Sequence, residues 1–100
     1  MATWAVIPAF NEGKRIKEVL RNTKKFAPHI IVVDDGSRDE TSAVAKEEGV
    51  ILLPLITNLG KGAALKTGCD YALMQGADKI VVLDADGQHD VDDIKRLVGV

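Results

Sequence analysis

Apolar runs alternate with amphipathic stretches from one end of this chain to the other. Thr3 to Pro8, Ile30 to Asp34, Val50 to Pro54 and Lys79 to Leu83 are short and rich in Val, Ile and Leu, as expected of strands buried on both faces. Between them, apolar and small residues recur at helical spacing: Ile16, Val19, Leu20 and Thr23, then Thr41, Val44 and Ala45, then Leu65, Cys69, Ala72 and Leu73. A fourth helix is predicted to begin near Asp90, with Val91, Ile94, Leu97 and Val98 on one face. Local signals mark the boundaries. Ser37-Arg38-Asp39-Glu40 reads as a capping box, Asp90 as a similar cap, and Gly49 and Gly76 fall where helices should end. The order βαβαβαβα, joined by right-handed crossovers between neighbouring strands, predicts an α/β fold: an open, mainly parallel sheet with helices on both faces. In such sheets ligands collect at the carboxyl edge, so the residues just after each strand are the place to look.

The bulk numbers narrow the function classes. A chain of 100 residues with 46% apolar content is expected to form one domain, 1–100. Its net charge of -2 gives no global positive field for nucleic acid or an acidic membrane, so an anionic ligand would need a local cation. No apolar stretch approaches the ~18 residues of a membrane span. Met1 to Phe10 also lacks the basic-then-apolar layout of a secretory signal, so a soluble chain is expected. Cys69 is the only cysteine. It excludes an internal disulfide and fits a cytoplasmic location, and its expected role is buried and structural.

Four polar clusters follow the four strands: Pro8-Ala9-Phe10-Asn11-Glu12, Asp34-Asp35-Gly36-Ser37, Asn58-Leu59-Gly60-Lys61-Gly62 and Asp84-Ala85-Asp86-Gly87-Gln88. In an extended segment alternate side chains share a face, which lets Asp84 and Asp86 point the same way, separated by ~6.6 to 6.8 Å of backbone rise. Carboxylates are hard donors that suit Mg²⁺ or Mn²⁺, Gln88 adds a neutral oxygen, and the ion reverses the repulsion two bare acids would exert on a diphosphate. The plainer reading is a turn and a helix cap. Asp34 and Asp35 suit hydrogen bonds from a base or ribose, although turn and cap duties explain Asp35, Gly36 and Ser37 nearly as well. Gly60-Lys61-Gly62 opens the third helix, where Lys61 is either a counter-charge for phosphates or a solvated lysine. It is not a Walker loop, because Leu55 and Gly62 stand where glycine and Ser or Thr are needed; a dinucleotide fingerprint fails at Leu65. His29 is expected to be structural, and His89 to be second to the site or incidental.

Taken together, "VIPAFNE", "VVDDGSRDET", "NLGKGAALKTG" and "VVLDADGQHD" resemble, in order and interval, the family 2 glycosyltransferases of GT-A fold, most closely the dolichyl-phosphate mannose and glucose synthases. The resemblance implies the Rossmann-like half of a GT-A fold. It implicates Pro8, Ala9, Asn11, Glu12, Asp34 and Asp35 in nucleoside contact, with Asp39 a weaker addition. It also places Lys61 and Asp84 with the nucleotide-sugar, and Asp84, Asp86 and Gln88 at a Mg²⁺ or Mn²⁺ ion. The implied reaction is inverting transfer of a hexose from a UDP- or GDP-sugar to an acceptor such as a polyprenyl phosphate, at the cytoplasmic membrane face where the acceptor is a lipid. Such a phosphate is already anionic and can attack without a protein base. Family members continue past this motif into an acceptor half that carries the catalytic base. The expectation is therefore a donor-binding half, insufficient alone for turnover, whose open sheet edge favours self-association into a homo-oligomer. Two rivals stand beside it. "VVLDADG" also resembles the haloacid-dehalogenase-like phosphatases, but Gln88 stands where they have Thr and their later Lys and Asp motifs have no room. The other rival is a non-catalytic nucleotide-binding module or remnant.

Overall fold

The computed structural model describes residues 3–85 and 95–97. In chain order the elements are β1 (Thr3–Ala9), α1 (Ile16–Thr23), β2 (His29–Asp34), α2 (Thr41–Glu47), β3 (Ile51–Pro54), α3 (Lys61–Met74), β4 (Lys79–Val82) and β5 (Lys95–Leu97). They form one sheet in the order β3-β2-β1-β4-β5, in which the first four strands are parallel and β5 is antiparallel to β4. The expected strands are all present. The expected order is not, since β3 and β4 are separated by β2 and β1, and the strand order reverses at β1.

Two cores flank the sheet, because successive side chains of a strand point to opposite faces. Ala5, Ile7 and Ala9 of β1 and Val32 of β2 pack with Ile16, Leu20 and Ala45 of α1 and α2. Trp4, Val6, Ile31 and Val33 pack with Ala64 and Ala72 of α3 on the other face. The sequence predicted an α3 stripe of Leu65, Cys69, Ala72 and Leu73, but the buried residues are Ala64, Gly68 and Ala72, and Leu73 is exposed. Close approach explains the shift. A Cβ at Gly68 would lie 2.4 Å from Cγ1 of Val6 and 2.9 Å from Cγ2 of Val33, so small residues face the sheet and larger ones are displaced to the flanks. Cys69 is accordingly half-buried rather than buried, and burial, with Asp70 adjacent, pushes its thiol pKa up.

Two further expectations are corrected. Leu97 is not helical: Lys95–Leu97 runs antiparallel to β4, with Leu97 opposite Ile80. Helical spacing of four apolar residues did not outweigh the ladder bonds offered by the edge of β4. Asp90, Val91, Ile94 and Val98 lie outside the described residues. Ser37 is not a helix cap either, because α2 starts only at Thr41 and its N-cap, Glu40, makes no side-chain bond. Asp39 supplies the acceptor instead, taking the Thr41 N–H at 2.9 Å. Gly49 and Gly76 do end α2 and α3 in the left-handed region, with φ of 75° and 87°. No helix among the described residues is long and apolar enough to cross a membrane.

Candidate functional site

The reversal of strand order at β1 opens a gap at the carboxyl edge between β1 and β4, the place where ligands settle in open α/β sheets. The β1–β4 pairing runs from Thr3↔Lys79 to Val6↔Val82, and its last bond is donated by the Leu83 N–H to the Val6 carbonyl at 3.2 Å. Backbone polar groups point to the same side at every second residue, so Pro8 turns its nitrogen toward β4 as Val6 does. Proline has no N–H to donate, and the ladder stops there. β1 continues to Ala9 against β2 alone.

A cleft of about 460 Å³ fills this gap, lined by Pro8, Ala9, Phe10 and Glu12 after β1, Asp35 after β2, Asn58, Gly60 and Lys61 before and within α3, and Asp84 and Ala85 after β4. All four polar clusters thus reach one cavity. Phe10 and Asn58, not expected as site residues, form part of its wall; an aromatic directly after an apolar strand was the available signal for Phe10, which is 47% exposed.

The loops around the cleft are tied to one another by side chains accepting backbone hydrogens. Asn11, in the left-handed region at φ 53°, donates its N–H to Ser37 Oγ at 2.8 Å, while its Oδ1 accepts the Arg38 N–H at 2.9 Å. The Glu12 N–H donates to Thr41 Oγ1 at 3.0 Å, and the Gly13 N–H to Asp39 Oδ2 at 3.0 Å. Desolvation would raise the Asp39 pKa, but the Thr41 hydroxyl and the N–H groups of Thr41 and Gly13 together hold it below its ordinary value. Asn11 and Asp39 therefore shape the β1 loop and lie outside the cleft wall.

The acidic pair divides. Asp34 and Asp35 are each 4% exposed, and as consecutive residues they face opposite ways. Asp34 Oδ1 accepts the Ser37 N–H at 2.9 Å and its other oxygen accepts the Ser42 hydroxyl. It borders a neighbouring cleft of about 480 Å³ that also includes Phe10, Arg38, Ile56 and Asn58. Asp35 borders the first cleft, and its carboxylate clamps the start of α3. It accepts the Leu59 N–H at 2.7 Å, the Gly60 N–H at 3.0 Å and Nδ2 of Asn58 at 3.2 Å. A negative charge at a helix N-terminus satisfies orphan donors and complements the macrodipole. Gly36 permits the approach: at φ +74°, a Cβ would lie 2.6 Å from the Thr57 carbonyl carbon and the Asn58 nitrogen.

Across the cleft, Lys61 in the first turn of α3 forms an ion pair with Asp84 just beyond β4, their side chains 61% and 21% exposed. Asp84 thus presents an oxygen to a cation, here an ammonium, which is the donor chemistry a hard divalent ion requires. Asp86, Gln88 and His89 lie outside the described residues. Among the described residues no three His, Cys, Asp or Glu side chains gather as a metal cage. His29 stacks on Trp4, ring centroids 4.5 Å apart, far from the cleft at the amino edge of β2.

The family model described as Glycosyl transferase family 2 matches residues 4–100. An uncharacterized protein of Methanocaldococcus jannaschii is 50% identical over 96 residues, covering 95% of this chain and 40% of that protein. The UDP-N-acetylglucosamine–dolichyl-phosphate N-acetylglucosaminyltransferase of Methanococcus voltae is 38% identical over 113 residues, covering 95% and 45%. Among solved structures, glucosyl-3-phosphoglycerate synthase from Mycobacterium tuberculosis, in complex with Mn²⁺, uridine diphosphate and glucosyl-3-phosphoglycerate, superimposes with a TM-score of 0.69 at 25% identity. That match covers 84% of this chain and 33% of the enzyme. The chain therefore spans less than half the length of the curated relatives it matches.

Proposed function

Because the chain belongs to glycosyl transferase family 2, we propose that it is the donor-binding half of a glycosyltransferase, holding a nucleoside diphosphate sugar in the cleft between β1 and β4. The observation that carries this reading is the gathering of Glu12, Asp35, Lys61 and Asp84 around one cavity at the point where the strand order reverses. The donor is a UDP- or GDP-hexose and the acceptor a hydroxyl or a polyprenyl phosphate. Support comes from the dolichyl-phosphate acceptor in the name of the Methanococcus voltae relative and the uridine diphosphate bound by the Mycobacterium tuberculosis enzyme.

In this reading Pro8, Ala9 and Glu12 wall the nucleoside end, with Phe10 at the rim. Asp35 acts chiefly through the loop it clamps, setting Gly60 and Lys61 against the phosphates. Asn11 and Asp34 shape the loops from behind. Asp84, with Asp86 and Gln88, would hold Mg²⁺ or Mn²⁺, in keeping with the Mn²⁺ and Mg²⁺ complexes of the Mycobacterium tuberculosis enzyme. When bound, such an ion supplies neutralising charge for the diphosphate on entry and as a leaving group.

Calorimetric titration of UDP and GDP with Mn²⁺ or with chelator tests the reading. Nucleotide should bind more tightly with the metal, and Asp86→Ala should abolish the difference while leaving the circular dichroism spectrum unchanged. Superimposable curves with and without metal would refute it.

A further inference from the structure

The Lys61–Asp84 pair is an unusual use of two charges. Lys61 stands in the first turn of a 14-residue helix, where the macrodipole disfavours a cation. It compensates for this by reaching across the cleft to an acid on the end of another strand. Both side chains line the cavity, so the bridge lies across the volume a diphosphate would occupy. Lys61 is mostly exposed, and its long stem lets the ammonium move without moving the helix.

Building on the function proposed above, we propose that Lys61 is an exchangeable counter-charge: it occupies Asp84 in the ligand-free chain and transfers its ammonium to the diphosphate when nucleotide arrives with its cation. Each charge keeps a partner in both states. Without nucleotide, Asp84 already has a cation, so a divalent ion alone must compete with Lys61 for it. With nucleotide present, the phosphates give Lys61 another partner, Asp84 is released, and ion and nucleotide assist each other's binding. Linkage makes that assistance reciprocal. Lys61 thus acts twice with opposite sign, against the bare ion and for the nucleotide, which discourages occupation of the site by metal alone.

The test is a pair of affinities measured on wild type, Lys61→Met and Lys61→Arg: Mn²⁺ alone, by electron paramagnetic resonance of the free ion, and UDP or GDP at saturating Mn²⁺, by calorimetry. Removing an exposed competing ion pair should tighten Mn²⁺ binding in Lys61→Met by about two- to five-fold. Losing the charged contact to phosphate should weaken nucleotide binding by about ten-fold or more. Lys61→Arg, which keeps the charge, should return both constants toward wild type. A Lys61→Met chain whose nucleotide affinity alone changes makes Lys61 an ordinary phosphate ligand and overturns the exchange, as does one in which neither constant moves. Wild type that binds Mn²⁺ but no nucleotide refutes the donor-binding function; tighter Mn²⁺ binding by Lys61→Met would still establish the competition at Asp84. Wild type that binds neither overturns both.

Discussion

Asp35→Ala removes one acceptor from three donors: the Leu59 and Gly60 N–H groups at 2.7 and 3.0 Å and the Asn58 amide at 3.2 Å. A hydrogen bond to a charged group contributes about 1.5–3 kcal/mol, and all three are lost together. The terms do not add in full, because Asn58 and Leu59 are exposed and water replaces part of what they lose. The expected loss of unfolding free energy is therefore about 2–4 kcal/mol. For a domain of this size each kcal/mol lowers the melting temperature by about 4–8 °C. Urea denaturation followed by far-ultraviolet circular dichroism, without metal or nucleotide, measures it directly. Asp35→Asn keeps one oxygen in place and should fall between the alanine variant and wild type. A loss below about 0.5 kcal/mol in Asp35→Ala would show that the carboxylate does not hold α3, leaving direct ligand contact as its role.

Two further outcomes are expected. Gly68→Ala puts a methyl group 2.4 Å from Val6 Cγ1 and should destabilise by about 1–3 kcal/mol through overpacking, read from the urea midpoint; an unchanged midpoint would mean that α3 moves off the sheet freely. Asp39 has a folded-state pKa below its ordinary 3.8, so its contribution is present above that value and lost as the pH falls through the lower folded value. Asp39→Asn should consequently flatten the fall in stability below roughly pH 5, and identical acid unfolding curves for variant and wild type would remove Asp39 from that role.

The strands were legible because four short apolar runs alternating with amphipathic stretches have few other solutions. The cleft was legible for the same reason, since residues after parallel strands share an edge whatever the strand order. The order itself was not, because nothing local to β3 or β4 states that two strands lie between them. Partners far along the chain hid the rest. Ser37 has the spacing of a cap, but its hydroxyl is engaged by Asn11, 26 residues away. Asp35 reads in the sequence as a ligand contact, and nothing local shows that three of its acceptor positions go to residues 58–60. The α3 stripe was misplaced because hydrophobicity favours Leu73 over Gly68, whereas the distance to Val6 favours Gly68.

β1 leaves the ribosome before either of its partners, yet its two sides are completed at different times. One is paired by β2, which begins at His29, and the other only by β4, which begins at Lys79. Until residues 61–82 emerge, the nascent chain therefore carries an open strand whose Trp4 and Val6 lack α3 to cover them, the kind of surface that invites mispairing and engages chaperones. The gap proposed to receive the nucleotide thus borders the last of the parallel seams to close.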